Sequence, residues 1–379
     1  MRIAVIADDL TGALDTGVQF RQWGYTVQLT DTPRHSTAEV TIINTDTRNK
    51  DPETAYNLTH TATLDVADHD IIYKKTDSTL RGNPGAELQA ILDATSETKA
   101  ILSPTYPPTG RRVKDGHLYV KDQLITETEY IHEYERKTSS IPEILHTETP
   151  IHCIKTPENI PETGIIVIDS ETEQDLLKIA SCPVRILAGS AGLADALCQS
   201  LRNPPPVLTI IGSIRTETRT QVEQLHERLG AEVIPLDNTK ALHQTPQQET
   251  MRRARAALKG GKDAVITSSP TVEAVEQTRL EAQRLDLTPE ELEDRITEAL
   301  AASTKRLLHN LSGIIITVAA TALAVTKQLG TRNIEILDEV QPGVPVLMLD
   351  NITAVTKAGG FGQPDILIQA TKYLKRKHR

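Results

Sequence analysis

Five times along the chain a short β-branched run ends in small or acidic residues and a segment of helical period follows. Arg2–Ala7 precedes DDLTGALDTGVQFRQWG, and Val184–Leu187 precedes AGSAGLADALCQSL. Val207–Ile211 precedes GSIRTETRTQVEQLHERLG, Ala264–Ile266 precedes TSSPTVEAVEQTRLEAQRL, and Ile314–Thr317 precedes VAATALAVTKQLG. Buried strands alternating with amphipathic helices are βα units, which build a mostly parallel sheet covered on both faces. Ligands in such sheets bind beyond the carboxyl ends of the strands. Strand ends are therefore where chemistry is to be sought.

A chain of 379 residues exceeds the roughly 250–300 residues at which single cores stop growing. The expected boundary is Arg202-Asn203-Pro204-Pro205-Pro206, because three prolines cannot continue a helix and form a stiff connector. The fold class predicted is α/β, with two domains, residues 1–203 and 207–379. Each is a mostly parallel sheet flanked by helices, with a cleft between them. A less regular stretch, 114–162, is expected to hold hairpins and insertions. In the second domain Thr288-Pro289-Glu290-Glu291 reads as a capped helix start, with the helix running to about His309. The basic tail KYLKRKHR reads as the end of a last helix, where cations complement the dipole.

Charge narrows the partners. With 41 Lys+Arg against 51 Asp+Glu the net charge is −10, and aromatics are 3%. An acidic surface repels phosphate backbones and few rings are left to stack on bases, so nucleic acid is not an expected partner. The longest weakly polar run, Ile314–Val325, falls short of the roughly 20 residues of a membrane span and reads as a strand entering a helix. No membrane partner is expected. Cys153, Cys182 and Cys198 are scattered, with no ligand spacing for zinc. With no signal-peptide pattern at the start, the expected location is the cytoplasm.

Five segments carry candidate chemistry, four at strand ends and one before a helix. At the first, one of Asp8 and Asp9 is expected to cap the following helix, and the other to serve as a general base or Mg²⁺ ligand. Solvated caps would look the same. Lys74-Lys75-Thr76-Asp77-Ser78-Thr79-Leu80-Arg81-Gly82 packs cations, an acid and hydroxyls into nine positions, a set that suits a small hydroxylated anion. A polar surface loop is the plain alternative. Ala188-Gly189-Ser190-Ala191-Gly192 sits between strand and helix, where free amides can meet an anion, and Ile211-Gly212-Ser213 repeats that geometry. Lys357-Ala358-Gly359-Gly360-Phe361-Gly362 precedes an apolar helix and reads as a phosphate cradle or a flexible turn. There is no G-x-x-x-x-G-K-S/T, no G-x-G-x-x-G after the first strand, no H-E-x-x-H and no G-x-S-x-G. These absences speak against P-loop, dinucleotide, zinc-protease and hydrolase readings.

In combination and order these segments resemble the four-carbon acid sugar kinases. The resemblance is carried by ADDLTGALDTGVQF, NTDTRN (Asn44–Asn49), KKTDSTLRGNPGAEL (Lys74–Leu88), SPTYPPTGRRVKDGHLYV (Ser103–Val120), ETEY (Glu127–Tyr130), AGSAGLADAL and KAGGFGQPDIL. It covers nearly the whole chain. It implies a sugar-acid-binding first domain, a nucleotide-binding second domain, and ATP-dependent phosphorylation of a terminal hydroxyl on threonate, erythronate or an oxo-tetronate. ATP and Mg²⁺ are the implied cofactors. Asp8, Asp9, Lys75 and Asp77 are the implied catalytic residues, with Ser78, Arg81, Arg111, Ser190 and Gly192 on the substrate. Ser213, Val318, Ala319, Ala320, Thr321, Gly359, Gly360 and Gly362 are implied on the nucleotide.

One turn departs from the family. Where relatives carry a Gly-Gly-acid-Thr turn, this chain has Val318-Ala319-Ala320-Thr321. Valine disfavours positive φ, and its Cβ keeps phosphate from the backbone. A kinase-derived sugar-acid binding or regulatory protein with an impaired ATP site is therefore the alternative reading. A nicotinamide-dependent oxidoreductase would rest on fold analogy alone. A homodimer is the default expectation for the assembly.

Overall fold

The computed structural model describes residues 1–133 and 138–378. The chain divides into two compact units, Met1–Asn203 and Pro204–Arg379.

The first unit contains β1 (Ile3–Ala7), β2 (Val27–Leu29), β3 (Val40–Asn44), β4 (Ile71–Lys75) and β5 (Lys99–Ser103). There follow β6 (Arg111–Lys114), β7 (His117–Val120), β8 (Gln123–Leu124), β9 (Ile151–Ile154), β10 (Gly164–Ile168) and β11 (Ile186–Gly189). Eight of them form one parallel sheet in the order β2-β3-β1-β4-β11-β5-β10-β9. Strand periodicity sorts the core onto two faces. Ile3 and Val5 pack with Phe20, Ile101 and Leu193, while Ala4 and Ile6 pack with Ile72, Leu88 and Ile91. Each of these large side chains contributes about 1.5–3 kcal/mol by leaving water. From β1 the chain goes to β3 on one side and β4 on the other, so a crevice opens at the β1 tip. Ala7 pairs with Asn44 and with Lys75, and Lys75 pairs with Gly189. The following residues therefore leave the sheet at one level.

The irregular stretch holds β7 and β8, which form an antiparallel sheet with β6 just before it, so the hairpins begin slightly earlier than the sequence reading places them. It also supplies β9, which joins the parallel sheet beside β10. As an edge strand with the alternation Ile-His-Cys-Ile, β9 lacks the continuous apolar run that marks the central strands. Residues 134–137 of this stretch lie outside the described residues.

The second unit contains β12 (Val207–Ile211), β13 (Glu232–Pro235), β14 (Ala264–Thr267), β15 (Gly313–Thr317), β16 (Ile334–Glu339), β17 (Pro345–Leu349) and β18 (Ile352–Lys357). Their order is β13-β14-β12-β15-β18-β17-β16. The first five of that order run parallel, and β17 and β16 are antiparallel. Thr288 caps helix Pro289–Lys305 through a reciprocal pair with Glu291, as the sequence predicts. The helix stops at Lys305 and not near His309, because the chain turns there to bury Leu307. The final helix, Ile366–Lys377, has Lys375, Arg376 and Lys377 in its last turn. Among the described residues no helix is long and apolar enough to cross a membrane.

Candidate active site

The β1 tip sends out Asp8 and Asp9. Asp9 is the cap of helix Leu10–Gln22, its Oδ1 accepting the Gly12 amide at 2.9 Å. Asp8 is buried, with a side chain only 2% exposed. Both carboxylates are gripped by one residue that sequence reasoning missed, Arg48. Its Nε and Nη2 donate to Asp8 at 2.7 and 3.0 Å, and its Nη1 and Nη2 donate to Asp9 at 2.6 and 2.9 Å. The turn after β3 presents this guanidinium, because Thr47 and Arg48 both donate backbone N–H groups to the Asp8 carbonyl. Burial works against the charge on Arg48, yet hydrogen bonds to Asp8 and the field of Asp8, Asp77 and Asp9 hold its pKa above the ordinary value. The rule that chemistry gathers at strand ends would have flagged it, since NTDTRN follows directly on the apolar run of β3.

The segment after β4 folds over the same tip. Asp77 Oδ1 accepts from Arg81 Nη2 at 2.6 Å, and its Oδ2 accepts from the amide of Thr79 at 2.9 Å and from its hydroxyl. Burial alone would raise the Asp77 carboxyl, but these donors outweigh it and hold it well below the usual range. Lys75 is 5% exposed, and burial pushes its ammonium below the ordinary lysine value against the pull of Asp8, Asp77 and Asp15. Ser78 is part-exposed. Behind the tip, Lys74 and Glu87 form a fully buried ion pair at 3.1 Å. Glu87 also accepts from the Thr47 hydroxyl, which ties the Arg48 turn to helix Pro84–Thr95.

Ser190, Gly192 and Arg111 do not join this acid cluster. The Ser190 hydroxyl donates to the Thr105 carbonyl at 2.7 Å and accepts from the Gly192 amide at 3.1 Å, so it bolts two loops together. Arg111 donates to the Thr109 carbonyl at 2.6 Å and the Tyr130 hydroxyl at 2.7 Å, and stacks over the Tyr130 ring.

In the second unit the residues that the resemblance implies on the nucleotide sit at the tips of β12, β15 and β18. The glycine-rich loop is held by its carbonyls. Thr218 donates to Gly359 O at 2.5 Å, and Gln221 Nε2 donates to the carbonyls of Phe361, Gly362 and Gln363 at 3.1–3.2 Å. The Lys357 ammonium, which burial pushes down to about 8, donates to Ala358 O and Gly359 O. Held this way, the amides of Gly359, Gly360 and Gly362 have no protein acceptor among the described residues. Ser213 is 3% exposed and accepts from Thr218 at 2.9 Å. Gly212, Ser213, Val318, Thr321 and Gly359 border a cavity of about 520 Å³ whose apolar wall includes Val275, Leu292 and Ile296. Thr321 is fully buried, and its hydroxyl has no partner among the described residues.

The turn that carries valine and alanine in place of glycines adopts a backbone that glycine favours. Val318 caps helix Ala319–Leu329 at φ +72°, with Ala319 and Ala320 in the first turn. A valine there stores about 1–3 kcal/mol of strain. Its Cγ2 would stand 3.5 Å from a Cβ built on Gly359. Val318→Gly should release that strain, less about 0.4–1 kcal/mol of added freedom in the unfolded chain. The expected net is a gain of about 1 kcal/mol in urea unfolding. A lower midpoint would show that the turn is not strained.

A protein-held Mg²⁺ does not fit the acids present. Asp8, Asp9 and Asp77 are already bridged by guanidinium groups, and among the described residues no three carboxylate, imidazole or thiol groups are placed to share a metal ion.

Two family models match the chain, one in each unit. The model of a sugar-binding N-terminal domain matches residues 3–197, and that of a nucleotide-binding C-terminal domain matches residues 208–367. A D-threonate kinase of Salmonella typhimurium is 30% identical over 417 residues, covering 99% of each chain. A D-erythronate kinase of Heliobacterium modesticaldum is 26% identical, covering 99% of this chain and 97% of its own. A Bordetella bronchiseptica protein of 25% identity, solved as a domain-swapped dimer with bound citrate, superposes with a TM-score of 0.62 over the full length of both chains. With both units matched and a full-length relative at 30% identity, the chain belongs to the four-carbon acid sugar kinase family.

Proposed function

We propose that the protein transfers the γ-phosphate of ATP to a terminal hydroxyl of a four-carbon sugar acid such as threonate, erythronate or 3-oxo-tetronate. The observation that carries this reading is the acid cluster itself. Asp8, Asp9, Asp77, Arg48, Arg81 and Lys75 converge at the tips of three adjacent strands, β3, β1 and β4, within the unit that matches a sugar-binding model. Such a set can bind an anion and orient hydroxyls at once.

Asp9, whose side chain is 25% exposed, is the acid a substrate hydroxyl can reach, and we assign it as proton acceptor. Asp8 and Arg48 orient it, and Asp77 orients Arg81. Ser78 faces the polyol. Arg111, Ser190 and Gly192 shape the neighbouring loops. In the second unit the amides of Gly359, Gly360 and Gly362 and the start of helix Ala319–Leu329 receive the phosphates, with Ser213 and Thr321 alongside. The 520 Å³ cavity takes the base against Val275, Leu292 and Ile296. Mg²⁺ ligation rests with the nucleotide's phosphates. Positioning and charge stabilisation supply most of the rate in phosphoryl transfer.

The alternative, a binding protein without a working ATP site, drew on the valine at position 318. That residue's positive φ supports the kinase reading, since the backbone retains the shape a glycine would give. Release of ADP with a panel of tetronates tests the proposal. Turnover of at least one acid is expected, and folded protein that turns over none would sink it.

A further inference from the structure

We propose that the ε-ammonium of Lys75 and the first amides of helix Leu10–Gln22 form the seat of the substrate's carboxylate. This rests on the sugar-acid reading above and moves the carboxylate away from Arg81, where the sequence suggests it.

The other cations at these strand tips are committed. Lys74 pairs with Glu87, Arg48 clasps Asp8 and Asp9, and Arg81 pairs with Asp77. Lys75, though 5% exposed, makes no hydrogen bond or ion pair with any described residue. An ammonium so poorly solvated and without such a partner is costly, and an incoming anion relieves that cost.

Its direction is fixed by Gly12. A Cβ on that glycine would stand 2.9 Å from Lys75 Nζ and 2.5 Å from Asp9 Oδ1, so only a glycine lets the ammonium lie against the first helical turn. The Gly12 amide is taken by Asp9. Helix geometry leaves the amides of Leu10 and Thr11 without intrahelical acceptors, and both residues are exposed. The helix dipole adds partial positive charge at the same point.

Charge balance argues the same way. Asp8, Asp9 and Asp77 against Arg48 and Arg81 leave one negative charge at the tip. Lys75 cancels it. Without Lys75 an anionic substrate would enter a site of its own sign. Asp15, one turn along the helix, adds to that repulsion.

The test compares wild type, Lys75→Met and Lys75→Arg. Each is given the tetronate panel and the matching neutral tetritols, by ADP release and by calorimetry without nucleotide. Circular dichroism and ADP affinity confirm that each variant is folded. The wild type should prefer acid over tetritol, and Lys75→Met should cut that preference by roughly 10²-fold, mainly through KM and binding. Lys75→Arg should recover part of it. If acid and tetritol instead fall together through kcat, Lys75 serves the migrating phosphoryl group and the carboxylate seat is wrong. Unaltered acid binding in Lys75→Met also overturns it. Because calorimetry needs no turnover, an inactive wild type that binds acids sinks the kinase reading while still judging Lys75. A wild type that binds no tetronate removes both.

Discussion

Arg48→Ala is expected to lower stability by about 3–5 kcal/mol and to cut kcat/KM by at least about 10²-fold. The guanidinium is 16% exposed and makes four hydrogen bonds to two acids, one of them buried. Removing it leaves two adjacent carboxylates facing each other in a poorly solvated place, which costs far more than a surface pair. Asp9 also loses two of its three donors and hence its aim. Arg48→Lys keeps the charge, but a single ammonium cannot fork both acids, so it should fall between the two. Urea midpoints and steady-state rates read both effects. A variant within 1 kcal/mol of wild type, with an unchanged rate, would show that the clasp is incidental.

The second large effect concerns the pair behind the site. Glu87→Ala strands the Lys74 ammonium, which is 0% exposed and otherwise donates only to the Lys75 carbonyl among the described residues. A loss of about 3–5 kcal/mol is expected. Burial already pushes the Glu87 carboxyl upward against the pull of Lys74, so the pair exists at the expense of solvation. Lys74→Met combined with Glu87→Leu should therefore recover most of the lost stability, since apolar replacement of both partners is often neutral. A double variant no more stable than Glu87→Ala would contradict this account. The Thr47 hydroxyl loses its acceptor in either case, so activity should fall even where stability returns.

The architecture was readable because its signal is local. Apolar runs such as those of β1, β12 and β15 sit next to helical periods, and neither depends on distant residues. Asp8, Asp9 and the segment 74–82 stand out for the same reason, since strand ends are visible in the sequence. Arg48 also follows a strand end, but nothing in a loop arginine announces that it will fold onto acids forty positions earlier. Ser190 and Gly192 show a different ambiguity. A small-residue turn before a helix looks alike whether its hydroxyl meets a ligand or, as here, the Thr105 carbonyl. Val318 shows a further limit. Intrinsic preference argued against positive φ, but the backbone bond from Val318 N to Lys357 O and the helix that follows hold the turn in place.

The way the turn after β3 is sewn to β1 bears on redesign. Thr45, Thr47 and Arg48 all donate backbone N–H groups to Ala7 or Asp8, so library diversity there would mostly undo the fit of the turn. Ser78 is part-exposed and carries no hydrogen bond to a described residue. It is the position at which acceptor range can be varied with least damage to the scaffold.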